Sequence, residues 1–464
     1  MVTTPRPADL GLTTLDDEIT VDALPVEGDI PSWLSGNLLR TGPATWQAGS
    51  TALRHWFDGL AMLHSFTVSG GTVSYTNKYL GSTTYRSTEE AGKLTHGQFA
   101  TDPCRSIFQR VQAAFSGTTT DNANVNVAKL GERFLALTEG SLPVEFDQRT
   151  LEAAGVAPYR APGQLTTAHP HYDSGAMLNY AAKLGPRSSY RFYRVDERGT
   201  EVVASIPVRH PAYMHSFGMT ERWFVLVEFP LVVEPAALAL SGKPFIENYR
   251  WEPERGTRVT LVDRRTGEVG ARRTLEPFFA FHHVNAYEDG SDVVVDLCAY
   301  EDTQIIQDLY LDRMHEIMHD DAQDFARSHL KRLRLSSNGA ASEQVCDTTI
   351  DLPRINGRRA RLPHRYVWGV GNRHGWIDQL VKIDTTDGSS LSWYEPDQHP
   401  SEPVFVSRPG ADREDDGVLL SVVLDVQRGR SALLVLDAGT LRPLARAAVP
   451  HHIPYQLHGQ FSRD

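Results

Sequence analysis

Cysteine is nearly absent from this chain of 464 residues. The three cysteines, Cys104, Cys298 and Cys346, are too few for a disulfide framework and favour a reducing compartment. An excess of positive charge is also missing, because 58 acidic residues outnumber 46 lysines and arginines and give a formal net charge of -12. This balance disfavours a polyanionic partner such as nucleic acid.

Long apolar runs are missing as well. No stretch approaches the roughly 20 consecutive apolar residues that a membrane-spanning helix requires. The opening segment, MVTTPRPADLGLTTLDDEIT, has neither the basic residues nor the apolar core of a secretory signal peptide. We therefore expect a cytoplasmic protein, at most in peripheral contact with a membrane surface, and no motif indicates an obligate protein partner.

The chain has instead a recurring hairpin pattern, in which an apolar strand, a turn containing glycine and a second strand follow one another. Examples are 66–80, 134–155, 191–208, 258–275 and 432–449. A hairpin cannot bury both of its own faces, so repeated hairpins favour radial stacking into a β-propeller. A pair of packed sheets is the alternative architecture.

The main helical candidate is residues 303–335, which we predict to be a helical insertion between strands. It contains HEIMH at 315–319, a match to the HExxH zinc-protease signature that places two imidazoles on one helix face. The extended signature requires histidine at 325, where this chain has Phe325, and Glu343 has no supporting motif around it. The sequence therefore disfavours a zinc protease and indicates a solvated amphipathic helix.

Four histidines lie far apart, each in a segment typical of a strand end. They are His169 in TTAHPHYD, His215 in YMHSFGMT, His282 in FFAFHHVNAYED and His458 in YQLHGQF. Four neutral imidazoles around a six-coordinate iron would leave two positions for O2 and substrate, without thiolate or haem. A lone histidine is more often an ordinary hydrogen-bonded residue, so the surrounding segments decide the interpretation.

These segments belong to a longer series of motifs. In chain order they are HWFDGLAMLHSF (55–66), DPCRSIFQR (102–110), DNANVNV (121–127), LALTE (135–139), TTAHPHYD (166–173), MHSFGMT (214–220), FHHVNAYED (281–289), DLPRIN (351–356), SEPVFV (401–406), EDDGVLLSVV (414–423) and LHGQF (457–461). In this order they resemble the carotenoid cleavage oxygenases, a family that includes polyene-cleaving dioxygenases and the vertebrate retinoid isomerase. With GNLLRTGPA (36–44), the resemblance covers nearly the whole chain.

The resemblance implies one domain over residues 1–464, an all-β, seven-bladed β-propeller with a helical and loop cap over an axial iron site. The four histidines would hold one Fe(2+). Three of them would be held by carboxylates at positions that match family glutamates, namely Glu139, Asp351 and Glu402. Because the family usually has Glu where this chain has Asp351, we expect that side chain to reach its histidine through a backbone shift or a water molecule.

Two further positions match family residues that lie near the open coordination positions of the iron. They are Val125 and Thr138, where a small apolar group would exclude water from one position and leave the other for O2; both are equally compatible with ordinary strand residues. In FHHVNAYED only one of His282 and His283 can point to the axis, since neighbouring strand residues face opposite ways. The resemblance selects His282.

Two apolar segments match the family's tunnel mouth, where a lipophilic substrate enters from a membrane. The residues concerned are Ile107, Phe108, Val111 and Phe115 in RSIFQRVQAAF, and Leu231 and Val232 in PLVVEPAALALSG. The residues alone favour an ordinary core helix and a buried loop. The resemblance adds the expectation of peripheral membrane contact.

The activity implied is that of a non-haem Fe(2+) dioxygenase. It would use O2 to cleave a conjugated C=C bond of a carotenoid or apocarotenoid, giving aldehyde or ketone products such as retinal. A stilbenoid-cleaving dioxygenase of the same family is the alternative, although those members have a Lys where this chain has Thr138. A non-catalytic propeller scaffold is a further alternative, which the four histidines and three carboxylates disfavour.

Overall fold

The computed structural model describes residues 7–103, 120–320 and 322–463, and strands dominate this part of the chain. The strands, in chain order, are β1 Thr20–Val21, β2 Val26–Gly28, β3 Gly36–Thr45, β4 Gln47–Ala48, β5 Thr51–Ala52, β6 Leu60–Ser69, β7 Thr72–Tyr79, β8 Asn126–Leu130, β9 Arg133–Leu137, β10 Val144–Phe146, β11 Ala153–Val156, β12 Leu165–Thr166, β13 His171–Asp173, β14 Ala176–Lys183, β15 Ser189–Asp196, β16 Gly199–Pro207, β17 Gly218–Met219, β18 Trp223–Glu228, β19 Leu231–Val233, β20 Tyr249–Trp251, β21 Thr257–Asp263, β22 Val269–Leu275, β23 His283–Asp289, β24 Asp292–Ala299, β25 His329–Ser336, β26 Gly339–Thr349, β27 Asp351–Arg354, β28 Tyr366–Gly371, β29 Gln379–Asp384, β30 Ser390–Trp393, β31 Gln398–Pro400, β32 Val404–Ser407, β33 Gly417–Asp425, β34 Arg430–Asp437, β35 Pro443–Ala448 and β36 Gly459–Ser462.

The described helices are short. The α-helices are α1 Thr83–Ala91, α2 Pro235–Leu240, α3 Gln304–Asp308 and α4 Leu311–His319. Short 3-10 helices occur at Pro7–Leu12, Trp56–Asp58, Ile246–Asn248, Pro253–Arg255 and Gly357–Arg359. Within the described ranges no helix has the length and apolar character needed to span a membrane.

Seven antiparallel sheets of four to six strands follow one another along the described chain and form the blades of a propeller. Their strand orders are β1-β7-β6-β3-β36, β11-β10-β9-β8, β12-β14-β15-β16, β17-β18-β21-β22, β23-β24-β25-β26, β27-β28-β29-β30 and β2-β35-β34-β33-β31. Strands at the ends of neighbouring sheets contact one another, as β17 does with β23 and β36 does with β8. The seven-bladed propeller is therefore confirmed.

Two pairings join the early and late parts of the chain and close the ring. Strand β36 pairs with β3, with Arg40 opposite Gly459, and β2 pairs with β35, with Val26 opposite Ala447. A closed ring leaves few free strand edges, which are the usual sites of aggregation. Closure also places the segment just before β36 at the axis.

The hairpins follow the turn chemistry of the sequence. In the first blade, Ser69 of β6 pairs with Thr72 of β7, and the two residues between them, Gly70 and Gly71, have φ of 56° and 83°. A two-residue turn of this kind needs positive φ at both positions, which glycine adopts without a steric penalty. The predicted hairpin at 66–80 is confirmed.

The predicted helical insertion at 303–335 is wrong in its second half. Helices α3 and α4 occupy its beginning, but residues 329–335 belong to β25, which pairs with both β24 and β26. Leu333 and Leu335 of β25 are buried while Arg334 between them is exposed, which is the alternation of a strand. Arg332 forms a bidentate ion pair with Asp296 of β24, which joins the two strands through their side chains.

Candidate metal centre

The four histidines named by the motifs lie within three residues of the start of a strand. His215 precedes β17, His282 precedes β23 and His458 precedes β36, while His169 lies between β12 and β13. Because these strands come from different blades that meet at the centre of the ring, residues far apart in sequence come together there. Blade geometry thus explains the irregular spacing of the four residues in the chain.

The four imidazoles converge on one point. His169 Nε2 lies 2.9 Å from His215 Nε2, and His282 Nε2 lies 3.1 Å from His458 Nε2. One ring nitrogen from each residue falls within 4.8 Å of the others, a spacing that could hold a metal ion. Burial lowers the pKa of His169 and His215, and it lowers that of His458 to about 4. Neutral imidazoles keep the lone pairs that a metal requires.

Three of the imidazoles have a carboxylate on the side away from the centre. The Nδ1 atoms of His215, His282 and His458 lie 2.6, 2.6 and 2.7 Å from carboxylate oxygens of Glu139, Asp351 and Glu402, respectively. An Nδ1–H that donates to a carboxylate fixes the tautomer and leaves Nε2 free to face inward. No carboxylate among the described residues hydrogen-bonds the His169 ring.

Asp351 reaches its histidine directly, without a bridging water. The backbone accommodates the shorter side chain: Leu352 has a φ of 47°, and the pairing of β27 with β28 shifts register between Asp351 and Arg354. The Leu352 amide also donates to Asp351 Oδ1 at 2.8 Å. The contact between Asp351 and His282 is therefore direct, and the irregular backbone beside Asp351 is compatible with the backbone shift that was one of the two expected arrangements.

Two carboxylates have tyrosine partners that the motifs did not indicate. The hydroxyl of Tyr213 donates to Glu139 at 2.7 Å, and that of Tyr300 donates to Asp351 at 2.5 Å. Burial, followed by the charge of the neighbouring carboxylate, raises the pKa of both hydroxyls well above the ordinary value, so they remain donors. Tyr213 lies two residues before His215 in the segment that leads into β17, within the motif that contains this histidine.

Glu402 is instead held by arginines. Arg354 donates to both of its carboxylate oxygens, at 2.8 and 3.1 Å. The fully buried Arg40 donates to the Glu402 carbonyl at 3.2 Å and to the Leu457 carbonyl at 2.9 Å. Burial would raise the pKa of the Glu402 carboxyl, but the charge of Arg354 and the hydrogen bond from His458 reverse this and hold it well below its usual range. Burial lowers the pKa of Arg40 to about 10, which leaves it cationic near neutral pH.

A cavity of about 310 Å³ extends from the four-histidine centre, and several aromatic side chains form part of its wall. The aromatic residues that line it are Trp56, Phe57, Phe99, Phe245, Phe281, Tyr300 and Trp376. The ring of Phe57 contacts Phe99 and Phe281 at centroid distances of 5.3 and 5.8 Å. Val125 and Thr138 also line the cavity. The arrangement suits an apolar ligand with one part beside the imidazoles.

The residues predicted to form the tunnel mouth do not lie at the surface where the structure describes them. Leu231 and Val232 of β19 are buried and pair with β20, so the prediction that they contact a membrane is wrong. In the adjacent helix α2, Leu238 lines the cavity and Leu240 is 69% exposed, which places α2 where the cavity approaches the surface. The other predicted mouth residues lie outside the described ranges; they are Ile107, Phe108, Val111 and Phe115.

The neighbouring histidines of the same motifs point elsewhere. His171 Nε2 lies 2.9 Å from the Phe217 carbonyl, and His283 Nδ1 lies 2.8 Å from the Ser216 hydroxyl. Neither belongs to the group of four convergent imidazoles. The second histidine of each motif therefore lies outside the four-histidine centre.

Lengthening one carboxylate tests how tightly it is packed. We expect Asp351→Glu to lower the free energy of unfolding by about 1–3 kcal/mol, since an extra methylene in a packed site forces side chains off their preferred rotamers. The oxygens of Asp351 already lie within hydrogen-bond distance of His282 and Tyr300. Urea denaturation measures the change, with the exposed Asp312→Glu as the matched control. Equal stability of the two variants would show that the site has room for the longer side chain.

Comparisons with known proteins agree with this geometry. The family profile described as retinal pigment epithelial membrane protein matches residues 12–463. A mitochondrial carotenoid-cleaving dioxygenase of Macaca fascicularis is 33% identical over 97% of this chain and 93% of its own length. The human beta,beta-carotene 15,15'-dioxygenase is 34% identical over 95% of this chain and 92% of its own.

Solved structures show the same fold. An ACO/RPE65 chimera superposes with a TM-score of 0.88 at 26% identity, with 99% of each chain covered. Cobalt-substituted Synechocystis ACO, in which ACO is apocarotenoid oxygenase, also gives 0.88, at 25% identity and the same coverage. The likeness therefore extends over the whole propeller rather than over a few blades.

Proposed function

The chain belongs to the carotenoid cleavage oxygenase family, and on that premise we propose that it is an oxygenase that cleaves a conjugated C=C bond of a carotenoid or apocarotenoid with O2. The single observation that carries the proposal is the placement of four convergent imidazoles at an aromatic cavity. The relatives whose names state a substrate act on carotenoids. The products would be aldehydes or ketones formed from the two carbons of the cleaved bond.

We propose that the metal is one Fe(2+) per chain, with His169, His215, His282 and His458 as ligands. Imidazole nitrogen suits iron, and the carboxylates on the outer side orient three of the four rings. A relative of known structure holds cobalt, which supports a metal-dependent centre in the family. When bound, iron would supply the activation of O2 that no side chain can provide.

The side chains of the protein would bind and orient the substrate. The aromatic wall favours an apolar polyene because its burial removes apolar surface from water, at about 25 cal/mol per Å². Val125 and Thr138 line the cavity, and we propose that they limit which positions beside the centre water can reach. No described residue is required as a general acid or base, since both product oxygens come from O2.

Two other functions have less support. The relatives act on carotenoids, and Thr138, which lines the cavity, presents a hydroxyl and a methyl group where stilbenoid-cleaving members carry an ammonium. A non-catalytic scaffold would not need three carboxylates bonded to the outer nitrogens of converging imidazoles. A stilbenoid substrate and a scaffold role are therefore both disfavoured.

The proposal is tested with purified protein. We expect iron at about one equivalent per chain, and bleaching of β-carotene or an apocarotenal in the presence of O2 but not under nitrogen. Chromatography of the aldehyde products identifies the cleaved bond, with resveratrol as the competing substrate. Protein reconstituted with zinc alone is the matched control. Bleaching by the zinc form, or bleaching without O2, would exclude the proposed chemistry.

We further propose that the end of helix α2 contacts a membrane in which the lipophilic substrate dissolves. Leu240 is 69% exposed on a helix whose Leu238 lines the cavity. We expect Leu240→Ser to reduce co-sedimentation with phosphatidylcholine vesicles about tenfold, since burial of a leucine side chain contributes roughly 1.5–3 kcal/mol. The control is Leu391→Ser, which alters a leucine that is 51% exposed on β30. Equal vesicle binding by the two variants would place the contact elsewhere.

A further inference from the structure

The HEIMH motif of helix α4 has a partner that its own sequence does not reveal. His315 Nδ1 lies 3.0 Å from Asp9 Oδ1, and His319 Nε2 lies 3.0 and 2.8 Å from the two oxygens of Asp9. Asp9 belongs to the 3-10 turn Pro7–Leu12, 310 positions before His319. This cluster lies outside the four-histidine centre.

The three side chains offer metal-ligand atoms in a compact group. One atom from each of Asp9, His315 and His319 lies within 4.8 Å of the others. The ligands of a tetrahedral zinc ion, with Zn–N bonds of about 2.0–2.1 Å, lie roughly 3.3 Å apart. The Asp9–histidine distances are a few tenths of an ångström shorter, so small rotamer changes would admit an ion in place of the hydrogen bonds.

The cluster combines a buried carboxylate with reachable imidazoles. The Asp9 side chain is 9% exposed, whereas His315 and His319 are 47% and 21% exposed. A metal ion could therefore enter from solvent on the imidazole side. Two histidines four residues apart on a helix present their rings on the same face, which is the spacing that zinc sites use.

We propose that Asp9, His315 and His319 form a second metal site, separate from the oxygenase centre, that takes a divalent transition-metal ion such as Zn²⁺. Two imidazoles and one carboxylate are a common zinc ligand set, with a water molecule as the fourth ligand. The site is not that of a protease, since Glu316 of the motif is directed into an ion pair with Arg313 at 3.1 Å.

The bound ion would fasten the turn at residues 7–12 to the helices behind the cavity. Met314 and Ile317, on the other side of α4, are buried in the core, and Leu309 just before α4 lines the cavity. The turn is also held by Tyr455, whose amide donates to the Gly11 carbonyl at 2.9 Å. Because the ion would bind only the folded state, it would stabilise the packing of this turn on α4.

The test is equilibrium dialysis of the iron-loaded, full-length protein against Zn²⁺, with both metals measured by mass spectrometry. We expect about one zinc per chain that does not displace iron, and a thermal transition that rises with zinc concentration. His315→Ala and His319→Ala should both lose this zinc. His210→Ala is the matched control and should keep it, since His210 pairs with Glu234 at 2.8 Å in the same manner but without a second histidine.

Asp9→Asn distinguishes a metal site from a hydrogen-bonded contact. Asparagine keeps a carbonyl oxygen that accepts from His319 but loses the charge of the ligand, so zinc binding should fall while the metal-free thermal transition changes little. Zinc that appears only by displacing iron would overturn the proposal, as would undiminished zinc binding in His315→Ala, His319→Ala and Asp9→Asn.

Discussion

Replacement of His215, His282 or His458 by alanine should abolish both iron retention and polyene cleavage. Each replacement removes one ligand nitrogen and leaves a carboxylate without the imidazole N–H that it now binds. Loss of an outer partner of a metal ligand typically costs 10–100-fold, so loss of the ligand itself should exceed about 100-fold in cleavage rate. Metal analysis and the bleaching rate with β-carotene measure the two effects.

His283→Ala is the matched control for these variants. His283 is the immediate neighbour of His282, but its ring contacts the Ser216 hydroxyl at 2.8 Å and not the four-imidazole group. We expect His283→Ala to retain iron. The ligand assignment would be overturned if His282→Ala bound iron and cleaved substrate as well as His283→Ala does.

Glu402→Gln should have the second-largest effect on stability and activity, because two buried or half-buried arginines are neutralised by this carboxylate. Arg354 would lose its bidentate partner and Arg40 its nearby negative charge. An uncompensated buried charge costs about 3–5 kcal/mol, in addition to a 10–100-fold loss of metal affinity or activity. Denaturant unfolding and iron titration separate the two losses.

Comparison with Glu139→Gln isolates the contribution of the two arginines to stability. Glu139 also holds an imidazole, but its other partner is the neutral hydroxyl of Tyr213. We expect a similar loss of activity and a loss of unfolding free energy of about 1–3 kcal/mol, the usual cost of an unsatisfied buried hydrogen-bonding group. Equal destabilisation by the two variants would contradict a special role for Arg40 and Arg354.

The sequence predicted those features that depend on local pattern. Turn glycines such as Gly70 and Gly71 fix their hairpin through backbone conformation, so the repeated hairpins were recognisable without coordinates. The four histidines were recognisable because each lies in a motif of its own. Their convergence required the propeller, which the repeated hairpins favoured and the family resemblance implied.

Features that depend on long-range packing were not predictable. Side-chain length alone could not show that the backbone at Leu352 brings Asp351 within direct reach of His282. A third metal ligand for the HEIMH motif would be expected at position 325 from the sequence pattern. The structure instead places Asp9, from the other end of the chain, beside the motif. The strand at 329–335 was mistaken for helix because its charged residues obscure a short alternation.

Closure of the ring by β3 and β36 makes the centre a late product of folding. His458 directly precedes β36, and the Arg40–Leu457 contact beside it joins positions 417 apart in sequence. Such non-local contacts form slowly, because the entropy of the intervening chain must be lost first. Detachment of β36 would withdraw His458 from the other three imidazoles. Opening of the first blade and release of the metal should therefore be one cooperative event, with the bound ion slowing the step that unravels the ring.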